Sequence, residues 1–279
     1  MPTSPVLVLG ARGKTGRRVA ARLDQLGHPF RGASRSGGTR FDFADRDTWK
    51  PALSGAGAVY LVPMTESVPA AAVEEFLAVA AGSGVRRVVL LSARPAADAG
   101  GAADRHQEPV ELAVRATELD WTILRPSWFA QNFSEFMFLE PLLAGELALP
   151  TGEGREAFVD ADDIADVAVA ALTGDGHAGE VYELSGPEAL SFRTAVGMIA
   201  EAAGRRIRYT PLEPAEFTAG LTAQGMPPEG ADLVTELLVN IRDGAGEHIS
   251  DGVRRALGRD PRSFADYVKA TAAAGVWNG

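Results

Sequence analysis

Val6-Leu7-Val8-Leu9-Gly10-Ala11-Arg12-Gly13-Lys14-Thr15-Gly16 decides the fold. Four apolar residues in a row read as a strand covered on both faces, and three glycines spaced three apart follow where a helix must begin. A turn of this kind lets the backbone approach a pyrophosphate while the helix N-terminus faces it. Gly13-Lys14-Thr15 also invites a nucleoside-triphosphate reading, but that requires a glycine five residues before Gly13, and Val8 stands there. Gly10, Arg12, Gly13, Lys14, Thr15 and Gly16 are therefore the first candidate residues for a dinucleotide.

Outward from this turn, short apolar runs alternate with helical patterns. A helix is expected from about Lys14 to Leu26, ending at Gly27, and a strand at Phe30–Ser34. Further strands fit Arg40–Phe43, Ala58–Val62, Val88–Leu91 and Trp121–Leu124, with helices at Asp47–Leu53, Pro69–Gly82 and Glu108–Leu119 serving as crossovers. The class is α/β, a Rossmann-type doubly wound parallel sheet. Beyond Arg125 an aromatic stretch, Trp128 to Phe138, leads to a turn at Thr151–Gly154. A short strand at Ala157–Val159, a helix at Asp162–Leu172 and a last sheet strand at Val181–Leu184 follow. Helices are then expected at Ser191–Ala203, Pro214–Gln224, Ala231–Ile241 and Ser263–Ala274. This divides the chain into a cofactor domain over 1–154, its sheet completed by 155–185, and a smaller, mostly helical substrate-binding cap over 186–279.

Composition narrows the chemistry. The 279 residues are 46% apolar and 23% charged, which suffices for a large core without staples. Acids outnumber bases 37 to 27, a formal charge of −10 that repels phosphate backbones, so no nucleic acid partner is expected. With no cysteine, the chain has no disulfide, thiolate metal site, cysteine nucleophile or dithiol redox centre. Redox chemistry has to come from a cofactor. The first residues lack the basic region of a secretory signal, and no apolar run reaches about 18 residues. A cytoplasmic protein with no membrane partner is expected, as a monomer or homodimer acting on a small molecule.

An NAD site usually carries an acidic residue about 20 positions along, at the end of the second strand. Here that place holds Ser34-Arg35-Ser36. A carboxylate would repel a 2′-phosphate, whereas Arg35, helped by Arg12, supplies a planar guanidinium for it. NADP(H) is the expected cofactor. Later strand ends should follow along the same edge: Asp42 and Phe43 near the adenine, Val62, Pro63 and Met64 near the ribose and pyrophosphate, Ser92 and Ala93 near the nicotinamide.

These residues resemble the NmrA-like branch of atypical short-chain dehydrogenase/reductases. So do Val88–Ala93, Thr122–Phe133, Asp160–Ala165 and Leu184–Glu188. Within that branch, Ala58–Val62, Asn132–Glu135 and Arg262–Tyr267 are similar to the ergot-alkaloid-biosynthesis type, represented by festuclavine and agroclavine dehydrogenases. The resemblance covers nearly the whole chain and implies NADPH-dependent reduction of a small organic substrate, in the fungal cases a cyclic iminium. The branch also contains quinone reductases and catalytically silent redox sensors.

Ordinary members of the wider superfamily use a tyrosine with a lysine four residues later as proton donor. Tyr60, Tyr182, Tyr209 and Tyr267 are followed at that spacing by Met64, Gly186, Glu213 and Thr271. Ketone reduction suffers from this, because it creates an alkoxide, whereas hydride addition to an iminium gives a neutral amine directly. A cyclic C=N bond is thus the preferred acceptor, with quinone or enone reduction and a non-catalytic NADP(H) sensor as alternatives. His106 is the remaining titratable candidate for a proton step, or else a surface or capping residue. Phe129, Phe133 and Phe136 fall on one helical stripe. Trp128, Asn132 and Glu135 share a neighbouring face that suits a flat cationic substrate. Phe129 joins these three as a substrate-binding candidate. No histidine has metal-ligand spacing to carboxylates, and Asp162 among Asp160, Asp162 and Asp163 reads as a helix N-cap rather than a metal ligand.

Overall fold

β1 (Val6–Leu9) is buried on both faces, with Leu7 and Leu9 entering one core and Val6 and Val8 the other. The computed structural model describes residues 4–63, 68–94 and 102–278. From β1 the chain runs through α1 (Gly16–Gln25), β2 (Phe30–Ser34), β3 (Thr39–Arg40), α2 (Trp49–Leu53), β4 (Ala58–Leu61), α3 (Ala70–Gly82), β5 (Arg87–Leu91), α4 (Ala102–Arg115) and β6 (Asp120–Pro126). After α5 (Asn132–Glu135), α6 (Leu139–Leu143), β7 (Glu146–Leu149), β8 (Arg155–Glu156) and α7 (Ala161–Thr173), β9 (Glu180–Leu184) returns to the sheet. The remainder is β10 (Leu190–Ser191), α8 (Phe192–Ala203), β11 (Arg208–Pro211), α9 (Pro214–Ala223), α10 (Pro228–Arg242), α11 (Gly252–Leu257) and α12 (Phe264–Ala273).

The seven-stranded sheet has the order β3-β2-β1-β4-β5-β6-β9, and every pairing in it is parallel. The strand order reverses between β1 and β4, the switch point where such sheets open a crevice. Trp49, Phe76, Leu77, Val110 and Val114 from α2, α3 and α4 cover one face. Val19 and Leu23 of α1, Ile164 and Ala168 of α7 and Val253 of α11 cover the other. A third core lies beyond the sheet, where Phe133 packs on Phe138, Phe158, Phe192 and Phe264 with ring centroids 5.1–5.7 Å apart. It draws on residues between 130 and 158 as well as between 190 and 277, so cap and sheet domain interleave. Trp277 seals it, its Nε1 donating to the Phe133 carbonyl at 2.9 Å.

Several elements depart from the expectation. The strand expected at Arg40–Phe43 is instead Thr39–Arg40, because Phe41, Phe43, Trp49 and Phe76 form an edge-to-face cluster that turns the chain off the sheet. The strand expected at Ala157–Val159 is instead Arg155–Glu156, antiparallel to β10. The phenylalanine stripe is not one helix, since only Asn132–Glu135 is helical and Phe136 breaks it with extended backbone. Phe133 goes to the cap core while Phe136 is 63% exposed, so ring packing overrides the local period. The N-cap of α7 is Asp160, which accepts from the Asp162 amide at 2.8 Å, and not Asp162.

The glycine turn explains how α1 comes so close to β1. Gly10 takes φ of +63°, and a Cβ on Gly16 would press into the Gly10 carbonyl oxygen, well inside van der Waals contact. Gly16→Ala is therefore expected to destabilise by about 1–3 kcal/mol. Gly197, exposed in the interior of α8 with open space at its Cβ, should stabilise by about 0.5–1 kcal/mol when changed to Ala. Urea unfolding of the two variants checks the contrast, and equal effects would refute the close approach.

Candidate functional site

A cleft of about 1130 Å³ crosses the carboxyl edge of the sheet. Ser34 at the end of β2, Gly10 after β1, Val62 after β4, Ser92 after β5 and Ser127 after β6 line it in spatial order. Its floor at one end is the glycine turn. α1 begins there with no side-chain cap and no acidic residue in its first turn, so its free amides and its dipole are open to an anion. A Cβ at Gly13 would lie 3.1 Å from the Gly10 carbonyl oxygen, tight enough to disturb the cradle. The turn fits a dinucleotide pyrophosphate on these grounds.

Arg12 leaves the turn and reaches the loop after β2, donating to Ser36 Oγ at 2.9 Å and to the Ser36 carbonyl at 3.3 Å. Arg35 lies exposed in the same loop, and neither arginine forms an ion pair with another described residue. Two uncompensated guanidinium groups and the Ser34 and Ser36 hydroxyls thus occupy the place where an NAD site has a carboxylate.

Lys14 points toward the cap. Its ammonium donates to Asn132 Oδ1 at 2.6 Å and lies over the rings of Phe136 and Phe129, at 4.7 and 5.7 Å from their centroids. Burial lowers its pKa to about 8, with Glu135 opposing and Arg18 and Arg17 assisting. Glu135 is not free for a cationic substrate. Its carboxylate bonds Arg18 at 2.6 Å and also Arg17, and those bonds outweigh burial and hold it below the usual carboxylate range. Trp128 lines the cleft with its ring stacked on Phe138, centroids 6.1 Å apart.

Sequence reasoning missed the far wall. Leu233, Leu237 and Ile241 recur every four residues along α10 and present an apolar face to the cleft, flanked by Glu229 and Asn240. In the same cleft, Arg94 Nη2 donates to Glu156 Oε1 at 2.8 Å, with the two side chains 9% and 2% exposed. Burial pushes the Glu156 carboxyl up to about 7, against the pull of Arg94 and of the Trp128 and Ala157 amides. The one signal in the sequence was a carboxylate set before the wholly buried run Ala157-Phe158-Val159. Ser92 also has a partner the sequence did not suggest. Its hydroxyl donates to Glu111 Oε1 at 2.6 Å, and Arg125 grips the same carboxylate through Nε at 2.9 Å and Nη2 at 2.7 Å.

Of the expected cofactor and substrate residues, Gly10, Arg12, Gly13, Lys14, Thr15, Ser34, Val62, Ser92, Ala93, Trp128, Phe129, Asn132 and Glu135 all line this cleft. Gly16 is buried behind it as a packing residue, and Arg35 stands outside its rim. Asp42, Phe43 and Pro63 are not in the lining: Phe43 is drawn into the Phe41–Trp49–Phe76 cluster, and the Asp42 carboxylate accepts from the Ala44 amide. Met64 lies outside the described residues. The backbone of His106 belongs to α4, and its side chain lies outside what the structure describes.

A family described as NAD(P)H-binding matches residues 10–175, which includes the glycine turn and the strand ends of this cleft. The chain belongs to that family. It is 36% identical to an uncharacterised oxidoreductase, YesF, of Bacillus subtilis, over 98% of this chain and 97% of that one. Festuclavine synthase II of Penicillium roqueforti is 32% identical, over 95% and 97% of the two chains. A (4-alkanoyl-5-oxo-2,5-dihydrofuran-3-yl)methyl phosphate reductase of Streptomyces griseus is 35% identical, over 94% and 96%. Among solved structures, an NADPH-dependent quinone oxidoreductase from Escherichia coli in complex with NADPH superposes with a TM-score of 0.82 at 21% identity, over 95% of this chain and 99% of that one. The expected fold and the expected resemblance both hold, and relatives named as oxidoreductases or reductases are among those that match over nearly the whole chain. Among the described residues no helix is long and apolar enough to cross a membrane.

The Lys14 environment makes a direct prediction. Asn132→Ala removes an acceptor that favours the charged amine, so the Lys14 pKa should fall further below about 8. Lys14, Lys50 and Lys269 are the only lysines. The three lysine resonances after reductive ¹³C-methylation, told apart from that of the N-terminal amine by lysine-to-arginine variants, can therefore be titrated one by one, and an unmoved Lys14 would refute the contact.

Proposed function

We propose that the protein is an NADPH-dependent reductase that transfers hydride to a small unsaturated organic molecule, with a cyclic C=N bond as the preferred acceptor. The observation that carries this reading is the continuity of the cleft. One cavity of about 1130 Å³ runs from the glycine turn to the α10 wall, larger than the roughly 300–1,000 Å³ of typical small-molecule pockets. A dinucleotide anchored at one end leaves an apolar chamber at the other.

The bound cofactor would supply the hydride. Gly10, Gly13 and the first turn of α1 would hold its pyrophosphate. Arg12, Arg35, Ser34 and Ser36 would take the 2′-phosphate, which favours NADPH over NADH. Val62, Ser92, Ala93 and Pro126 would position the nicotinamide at the sheet edge. Trp128, Phe129, Leu233 and Leu237 would exclude water and press a flat acceptor into near-attack contact. Asn132 fixes Lys14 between these two regions.

C=N reduction is supported by the tyrosines, none of which lines the cleft, because hydride addition to an iminium needs no proton donor. The relationship to festuclavine synthase II points the same way. With Glu135 neutralised by Arg17 and Arg18, attraction for a cation would rest on the Trp128 ring. A second reading, reduction of a conjugated carbonyl, is favoured by Arg94 in the chamber and by the Streptomyces relative named for an oxo-dihydrofuran.

NADPH consumption measured with a cyclic iminium, a para-quinone, a cyclic enone and no acceptor tests the proposal. Turnover with the iminium above the other wells is expected. Tight NADPH binding with no turnover in any well would instead support a redox sensor. In binding assays Arg12→Ala and Arg35→Ala should each weaken NADPH about 10- to 100-fold, the loss of one charge-assisted bond, and leave NADH unchanged. Equal weakening of both cofactors would sink the 2′-phosphate assignment.

A further inference from the structure

Arg94 and Glu156 form a buried ion pair in the chamber that hydride transfer to an iminium does not use. Among the described residues three bonds hold the guanidinium: to Glu156 Oε1 at 2.8 Å, to the His248 carbonyl at 2.6 Å and to the Gly246 carbonyl at 3.2 Å. Gly246 leaves room for the carboxylate, since a Cβ there would overlap Glu156 Oε2. Both residues line the cleft, and both side chains are almost wholly shielded from solvent.

We propose that Glu156, fixed by Arg94 at the chamber wall, is the proton donor for acceptors that require a proton together with the hydride. The inference rests on the reductase reading and extends its substrate class to conjugated carbonyls. For such an acceptor, the hydride forms a new C–H bond at the β-carbon, the C=C π pair shifts, and the carbonyl oxygen takes the charge. The Glu156 O–H bond breaks, its proton goes to that oxygen, and the carboxylate left behind is stabilised by Arg94 until solvent returns a proton. The acceptor gains two electrons and NADPH loses two. The enol then converts to the ketone.

Electrostatics fits this role. A structural ion pair would stay charged throughout the neutral range, whereas burial outweighs Arg94 here and brings the carboxyl to about 7. Arg94, from the segment after β5, is the charged group that acts on it most. Trp128 and Ala157 contribute backbone amides. Neighbouring Arg155 is exposed on the strand, and the His248 ring is directed at Glu183, 3.8 Å away.

The test pairs an N-alkylated cyclic iminium, which needs hydride alone, with a cyclic enone, which needs a proton as well. Glu156→Gln should lower kcat with the enone about 100-fold or more and change the iminium rate by less than about 3-fold, with NADPH affinity intact. For the wild type, kcat/KM with the enone should fall as pH rises through about 7, and that limb should move upward in Arg94→Gln, where the pull on the acid is gone. A limb near 8 that persists in Glu156→Gln would assign the proton to Lys14 and overturn the proposal. So would equal losses on both acceptors, which mark a wall residue. Infrared titration needs neither turnover nor a folded variant: a protonated carboxyl band that disappears near pH 7 in the wild type is expected, and its absence overturns the proposal. A wild type inactive with both acceptors overturns the reductase reading and this inference together, whereas an active wild type without the selective loss overturns this inference alone.

Discussion

The approach of α1 to the end of β1 is the constraint on which the rest of the structure depends. Gly16 has no side chain, so the helix starts against the Gly10 carbonyl, and the left-handed conformation of Gly10 turns the chain in time to reach it. That one contact aims the first turn of α1 along the cleft. It also sets the register of the helix, and with it the direction of every basic side chain it carries. Lys14, in the turn just before the helix, reaches Asn132, Arg17 and Arg18 reach Glu135, and Arg22 reaches Asp162 and Asp166, each bond joining the turn or α1 to an element more than a hundred residues later. The chain segment before α12 closes this network through Arg259 and Arg262, which share Asp163 and Asp166. Asp163 is fully buried, and two guanidinium groups and the Arg262 amide surround its carboxylate. The cap is thus placed relative to the glycine turn by charge pairing as well as by the phenylalanine core.

How much of this was legible in the sequence depends on the range of the interaction involved. β1 was expected at Val6–Leu9 and lies there, because a strand covered on both faces advertises itself by apolar content alone. Ser191 and Ser263 cap α8 and α12, a signal confined to three residues. The pairing of β7 with β11 joins residues about sixty positions apart and has no local signature. α11 was missed for the same reason: its helical turn is short, and it is stabilised by packing on β9 and α7. Phe136 misled because its spacing is helical, whereas the helix ends at Glu135 and the Phe136 ring stays exposed beside the Lys14 ammonium, while Phe133 and Phe138 enter the cap core.

The cleft divides along the same line. The anchoring end is a single continuous stretch with two arginines where an acid is usual, so residue type and spacing disclosed it. The chamber is assembled from the exit of β5, the end of β8, the turn after β6 and one face of α10, four stretches that meet only in the folded chain. Arg94 reads as a turn residue and Glu156 as one more surface acid until burial is known.

The two ends of the cleft also differ in the physics available to them. At the rim, Arg12 and Arg35 stand in water, where an isolated guanidinium costs little to keep and attraction for a phosphate is screened by salt. Binding there can discriminate strongly between cofactors without stressing the fold. In the chamber a charge pair has to overcome desolvation, and replacing such a pair with apolar residues of equal volume is often neutral or stabilising. Arg94 and Glu156 are therefore poorly explained as stability elements. The backbone carbonyls of Gly246 and His248 that hold Arg94, and the glycine that makes room for the carboxylate, extend the cost over a whole loop. An arrangement that spends folding free energy on keeping one carboxyl beside an apolar wall, with its proton nearly balanced, is better explained by what that proton does than by what the pair supports.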